Sequence, residues 1–378
     1  MIRKLLNLLL LITIPATVFG QFEGTDTSGV SLLFIGDIMG HDEQIWSAED
    51  RQTHTYSYDD VFQYIKPVIS DADLAIANFE VTLAGPPYSG YPQFSSPAAL
   101  AAACRNAGID CLVTANNHAA DKGKRGIDGT IARLDSLGIQ HTGTFVSSAA
   151  RDSLTPLILV KKGWKFAVLN YTFSTNGITV PSPCIVNMLE KEVVANDIAK
   201  AKNLKPDAVI LFLHWGTEYD TVPSAAQRSL AAFFLDRGAD IIIGSHPHVV
   251  QRMEWVRGDS SGKDKPVFYS LGNFVSNQRR SGTDGGAMVR ITMREENGRL
   301  AIADAGYCLT WVYAPIVNYR KKFYILPCEE YAKMPGFFAN PADYQKMNNF
   351  IRGTGSMLRR QNINVGEIFP ASVNGSNR

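Results

Sequence analysis

The sequence has no excess of either charge: 37 Lys and Arg face 36 Asp and Glu across 378 residues. That balance excludes a broad nucleic-acid-binding face, for which basic residues would have to dominate, while leaving room for a local basic patch to meet a polyanion. No C-x-x-C spacing occurs among the five cysteines, Cys104, Cys111, Cys184, Cys308 and Cys328, so the thiols supply no evident chemistry. Cys104 and Cys111 lie in apolar helix-like and strand-like surroundings and read as core. Cys308 with Cys328 is the first candidate for a disulfide, which export would permit. Internal repeats and low-complexity blocks are also missing.

The longest apolar run at the N-terminus, Leu5 to Ile14, is too short to span a bilayer comfortably. It follows Met1-Ile-Arg-Lys4 and precedes a small residue, Gly20, so residues 1–20 read as a secretory signal peptide, with an uncleaved anchor as the alternative. Residues 21–29 are polar and read as a flexible lead-in. One large domain is expected over 30–330, followed by a C-terminal helix (Pro341 to Arg352) and polar tail within 331–378.

What is present is organised around Ala239-Asp-Ile-Ile-Ile-Gly-Ser-His-Pro-His248, a β-branched run that stops at a glycine and presents two histidines. Such a run reads as a strand buried on both faces, with His246 and His248 at its carboxyl end. Pro247 biases the residue before it towards an extended conformation. The spacing alone fits either metal ligands or solvated loop side chains.

Four further apolar runs end in the same way. Val30 to Ile35 leads to Gly36-Asp37, Asp73 to Ala77 to Asn78-Phe79-Glu80, Asp110 to Ala115 to Asn116-Asn117-His118, and Asp207 to Leu213 to His214. Helical spacing is expected between them over Val61 to Ile69, Pro97 to Ala107, Gly129 to Leu137, Leu189 to Asn203 and Ser224 to Arg237. Leu157 to Tyr171 reads as a hairpin closing the first half, and Val249 to Val256 as a later strand. The Gly/Pro/Tyr-rich segment 84–97 is a surface loop able to border a cleft.

In an open α/β sheet the carboxyl ends of strands share one edge, so these polar residues are expected to meet. Asp37, Glu80, Asn117, His214, His246 and His248 together offer oxygen and imidazole donors. That mixture suits one or two divalent ions, with manganese, zinc or iron fitting better than magnesium. Glu80 would bridge two ions, and Asp37 takes part in the chemistry as a ligand. His118 could donate a proton to a leaving group or serve only to orient its neighbours. Asp121, Glu218, Tyr219 and Asn273 are auxiliary candidates, and Trp215 reads as a packing wall.

Gly36-Asp37-Ile-Met39, Asn78-Phe-Glu80, Ala115-Asn-Asn-His118-x-x-Asp121, His214-Trp-Gly-x-Glu-Tyr219, Gly244-x-His-Pro-His248-Val and Ser270-Leu-Gly-Asn-Phe274 resemble, in this order, the motifs of the bacterial capsule-synthesis CapA (PgsA) family. That family is associated with poly-γ-glutamate synthesis and export, and it resembles a variant of the calcineurin-like metallophosphoesterases. The resemblance implies a four-layer α/β/β/α sandwich with two central mixed sheets. It also implies a metal site built from the residues named above. The superfamily's Asp-x-His becomes Asp37-Ile38-Met39 here, and His41 is the candidate replacement. The functional expectation is a secreted metal-dependent hydrolase of a phosphoester or amide bond in a cell-surface polymer. The alternative is a non-catalytic component that binds the anionic polymer or its precursor within a membrane synthesis or export complex; no nucleic-acid partner is expected.

Overall fold

The computed structural model describes residues 29–256, 258 and 264–368. The expected signal peptide, nearly all of the lead-in and the end of the tail lie outside them. Two mixed sheets form the centre. In the first, the strands follow the order Tyr324–Pro327, Arg299–Tyr313, Gly285–Glu296, Gly29–Ile38, Leu74–Phe79, Cys111–Val113 and Gln140–Thr142. In the second, the order is Met253–Val256, Lys265–Phe268, Ile241–Ser245, Ala208–His214, Trp164–Thr172 and Leu157–Lys161.

Side-chain alternation along the strands explains why the two sheets stack. Leu32, Phe34, Ile76 and Val113 of the first sheet meet Val168, Ile210, Phe212 and Ile243 of the second in one apolar layer. The residues between them point outwards. Leu33, Ile35, Ala77 and Leu112 pack with Val61, Ile69, Leu100 and Cys104 of the helical segments on one side. Val209, Leu211 and Ile242 pack with Val194, Ile198 and Phe234 of helices Lys191–Asn203 and Ala225–Arg237 on the other. The result is the four-layer α/β/β/α order that the family resemblance implies.

Several local expectations are corrected. Val61 to Ile69 forms two short helices, Asp59–Phe62 and Lys66–Ser70, because Pro67 lacks the amide hydrogen that would continue the first into the second. The hairpin of Leu157–Lys161 with Trp164–Thr172 belongs to the second sheet rather than closing the first half. Within the strand expected over Val249 to Val256, only Met253–Val256 pairs as one. The helix starting near Gly129 begins at Gly123 instead, with Lys122 in the left-handed region before it.

The C-terminal helix runs Pro341–Gln361, past its expected end at Arg352. Met347, Phe350, Met357 and Leu358 all pack into the between-sheet cluster, and that burial outweighs the intrinsic cost of Gly353 and Gly355. All five cysteines are buried free thiols, so the Cys308–Cys328 bridge is not formed. No helix among the described residues is long and apolar enough to cross a membrane.

Candidate metal centre

The same alternation that builds the between-sheet layer delivers the polar residues to its carboxyl-end edge. In Leu74–Phe79, Leu74 and Ile76 face the other sheet, so Asn78 and then Glu80 continue on that side. In Ala208–His214, Ile210 and Phe212 lead to His214, and in Ile241–Ser245, Ile241 and Ile243 lead to Ser245. The donors therefore come from the edges of two stacked sheets and not from one sheet edge, as the sequence suggested.

Asp37 reaches this face through a register shift. Pairing with Leu74–Phe79 runs Ile35 to Ala77 and then Asp37 to Asn78, leaving Gly36 as an extra residue. A bulge of one residue inverts the facing of everything after it. Asp37 consequently points with Asn78, whose Nδ2 donates to Asp37 Oδ1 at 2.8 Å. Only glycine fits at position 36, since a Cβ there would lie 2.2 Å from the Gly272 carbonyl oxygen.

Two donor triads result. Glu80, His214 and His246 form one, and Asp37, Glu80 and His248 the other; within each, the ligand atoms lie within 4.8 Å of one another. Glu80 belongs to both. Its Oε1 is 3.5 Å from His214 Nε2 and 3.8 Å from His248 Nε2, buried and without a hydrogen-bond partner. Burial, then the neighbouring charges of Asp37, Glu218 and Asp121, raise its pKa well above the usual carboxylate value.

The surrounding side chains orient these donors. His248 Nδ1 meets Asp37 Oδ2 and Asn273 Oδ1, each at 3.1 Å. Two oxygen acceptors make Nδ1 the protonated nitrogen and leave the Nε2 lone pair facing Glu80. Asn273 is aimed by donating to Gln278 Oε1 and the Thr283 carbonyl. His214 Nε2 lies 2.8 Å from Asn117 Oδ1, while Asn117 Nδ2 donates to Asn176. On its other side His214 Nδ1 lies 3.0 Å from Ser245 Oγ.

His246 has no hydrogen-bond partner on its buried Nδ1. Burial, with His248 and His118 nearby, lowers its pKa to about 3, which keeps the ring neutral and its lone pair free. Its backbone corrects the expectation drawn from Pro247: φ is 97° at His246 and 58° at His248, in the left-handed region. Hydrogen bonds from the Trp215 amide to Ser245 O and from the Tyr219 amide to Pro247 O hold this turn and override the local preference. Such φ values cost about 1–3 kcal/mol per residue.

His118 stands beside the triads. Its Nδ1 lies 2.8 Å from Asp121 Oδ2, which also accepts the Phe94 amide, and the Phe94 ring meets the imidazole edge-on at 4.6 Å. The 84–97 loop thus closes over the site. His41 is not brought into either triad: its Nδ1 faces Gln44 Oε1 and the Asn277 amide, where it caps helix Asp42–Ala48. Met39 packs in the outer apolar cluster. Glu218 is exposed and bonds to the half-buried Tyr219, whose ring lies 6.3 Å from His248. Trp215 stacks on Tyr269.

Sequence reasoning left Asn78 and Ser245 out of the site. The available signal was parity: Asn78 is two residues before Glu80, and Ser245 two after an inward-facing Ile243. The residues fit a divalent cation. An unpaired buried charge costs about 3–5 kcal/mol, a large part of the roughly 5–15 kcal/mol by which a native fold is stable. Cations held between the triads would satisfy the orphaned Glu80 Oε1 and His246 Nδ1 together.

Among known proteins, the chain is 31% identical to the capsule biosynthesis protein CapA of Bacillus anthracis over 280 residues, covering 70% of this chain and 64% of that protein. It is 30% identical to the PGA biosynthesis protein CapA of Bacillus subtilis over 285 residues, covering 72% and 70%. The match thus spans a little under two thirds of the Bacillus anthracis protein's length. Among solved structures it is similar to the calcineurin-like phosphoesterase YfkN of Bacillus subtilis, at 14% identity and a TM-score of 0.42, covering 87% of this chain and 97% of that one. The model of the bacterial capsule synthesis protein PGA_cap family matches residues 31–278, and the chain belongs to that family.

Proposed function

We propose that the protein is an exported metal-dependent hydrolase that cleaves a phosphoester or amide bond in the metabolism of an anionic cell-surface polymer, poly-γ-glutamate or capsule. The observation that carries this reading is Glu80 Oε1, buried, unpartnered and shared by two donor triads. Asp37, Glu80 and His248 would hold one ion, and Glu80, His214 and His246, assisted by Asn117, the other. Manganese, zinc or iron suits this donor mixture better than magnesium. A divalent ion there supplies Lewis-acid polarisation of the scissile group.

The chain's own groups do the rest. Asp121 holds His118 by Nδ1 and so leaves Nε2 to carry a proton to the leaving oxygen or nitrogen. Phe94 limits water around that imidazole. Asn273 and Asn78 hold His248 and Asp37 in place.

A second reading, a non-catalytic polyanion-binding part of a polymer synthesis or export complex, is favoured by one observation: His246, the most exposed of the triad residues, is only 4% exposed. The two readings separate in a turnover assay. With manganese added, a hydrolase releases phosphate from a phosphoester panel or new amino groups from γ-glutamyl oligomers, and loses this in Asp37→Ala and His246→Ala. Tight metal binding without turnover of any ester or amide supports the second reading.

A further inference from the structure

Beside the metal centre lies a recess of about 640 Å3. Val249 and Val250, the residues directly after His248, line one wall, and the segment Gly282 to Asp284 another. The Thr283 carbonyl in that segment accepts from Asn273 Nδ2 at 2.8 Å, and Asn273 Oδ1 is 3.1 Å from His248 Nδ1. One asparagine therefore separates the recess from the donor cluster. The C-terminal helix Pro341–Gln361 closes the far side.

The charges lining it are unequally matched. Lys346 Nζ donates to Asp343 Oδ1 at 2.8 Å, so that pair compensates itself. Asp284 accepts from Trp311 Nε1 at 2.8 Å. Arg279 donates to the neutral carbonyls of Val312 and Ser276, and Lys321 to the neutral amide oxygen of Asn277. Neither Arg279 nor Lys321 forms an ion pair among the described residues. Both cations lie 5.7 Å from the Phe323 ring.

Burial, followed by repulsion from Arg279, lowers the pKa of Lys321. Arg279 keeps more than a third of its surface open, and Asp284, Asp343 and Glu43 attract its charge from a distance, yet burial of its head group outweighs them and lowers its pKa to about 10. A cation sunk in a recess that opens to solvent has those two properties together, and low-dielectric walls strengthen its field.

We propose that this recess is an anion subsite for a carboxylate-bearing chain. Arg279 and Lys321 jointly take one carboxylate, and Val249, Val250 and Phe350 take the methylenes beside it. The proposal rests on the anionic-polymer reading above and says how that polymer is gripped. Asp284 and Asp343 in the lining disfavour a doubly charged phosphate and leave a singly charged carboxylate as the better match. The volume falls in the range of small-molecule sites.

The test is calorimetric titration of the full-length, manganese-loaded protein with γ-linked glutamate oligomers, their uncharged γ-linked glutamine-type analogues, and inorganic polyphosphate. Lys321→Gln is the main variant, because its half-exposed side chain can change without emptying the core. Arg279→Lys is the second, and melting curves confirm that both fold. We expect the glutamate oligomer to bind and the neutral analogue not to. Lys321→Gln should weaken binding about tenfold, and Arg279→Lys should weaken it measurably.

Equal binding of the neutral analogue, preference for polyphosphate, or unchanged affinity in folded Lys321→Gln overturns the subsite. If wild type cleaves a polymer bond while Lys321→Gln keeps wild-type affinity and KM, the subsite falls and the hydrolase stands. If Lys321-dependent binding occurs and no bond is cut, the hydrolase reading falls and the subsite stands.

Discussion

The Oδ2 of Asp37 and the Nδ1 of His248 lie 3.1 Å apart although 211 residues of chain separate them. That contact joins the edge of the first sheet to the turn after the second. Asp37 thus both offers a donor to one triad and fixes which nitrogen of His248 faces Glu80. Asp37→Asn keeps the shape and removes the charge. It is expected to lower manganese affinity by about 10–100-fold, as loss of a ligand or its orienting partner generally does. Isothermal titration with manganese checks this.

Gly36→Ala is expected to destabilise the fold by about 3 kcal/mol or more, beyond ordinary overpacking. The added methyl meets the Gly272 carbonyl oxygen, which is backbone and cannot rotate away. Because Gly36 is the extra residue that turns Asp37 inwards, surviving folded protein should also bind metal more weakly. Urea denaturation with and without manganese measures both effects.

Asp121→Asn replaces the carboxylate that holds His118 by Nδ1 with a neutral amide, weakening that hold while leaving both triads intact. The expected outcome is a fall in kcat of about 100-fold, the low end of the range attributed to a positioned general acid, with metal content unchanged. Equal loss of metal and activity would instead make Asp121 a structural support of the centre.

The five cysteines are buried and free, and burial raises the pKa of each thiol. A thiol reagent should therefore label none in the native protein and all five after unfolding without reductant. Three labelled thiols under those conditions would restore a Cys308–Cys328 bridge.

Asp73 ties the start of two neighbouring strands together. Burial raises its pKa, but hydrogen bonds from the Ser31 amide and hydroxyl and from Lys162 more than offset this, so its pKa is lowered overall. A carboxylate with a depressed folded pKa contributes stability above its ordinary titration range and loses it as pH falls through the folded value. Asp73→Asn should flatten the acid limb of stability, by roughly 1 kcal/mol or less at this partly exposed site. Denaturation midpoints from neutral pH down to about pH 3 test the sign.

The sequence made the strands of the site readable because each ends a buried β-branched or apolar run with a polar residue. Asp37, Glu80, His214 and the His246/His248 pair follow that pattern. Periodicity could not reveal that the runs belong to two stacked sheets, since strands buried on both faces look alike in either. Nor could it reveal the bulge at Gly36, which lies against the backbone of Gly272 far along the chain. The left-handed φ of His246 stayed hidden for the same reason: long-range hydrogen bonds, not Pro247, set that turn. His41 looked like a spare ligand because its commitment to Gln44 and Asn277 is a matter of packing.

The central claim is that Glu80 is the shared anchor of a divalent metal centre. Elemental analysis of the purified native protein beside Glu80→Gln tests it most directly. The account predicts one or two divalent ions per wild-type chain and none in the folded variant. A wild-type chain free of metal after exposure to manganese, zinc and iron, or a Glu80→Gln chain that retains the full wild-type content, would contradict it.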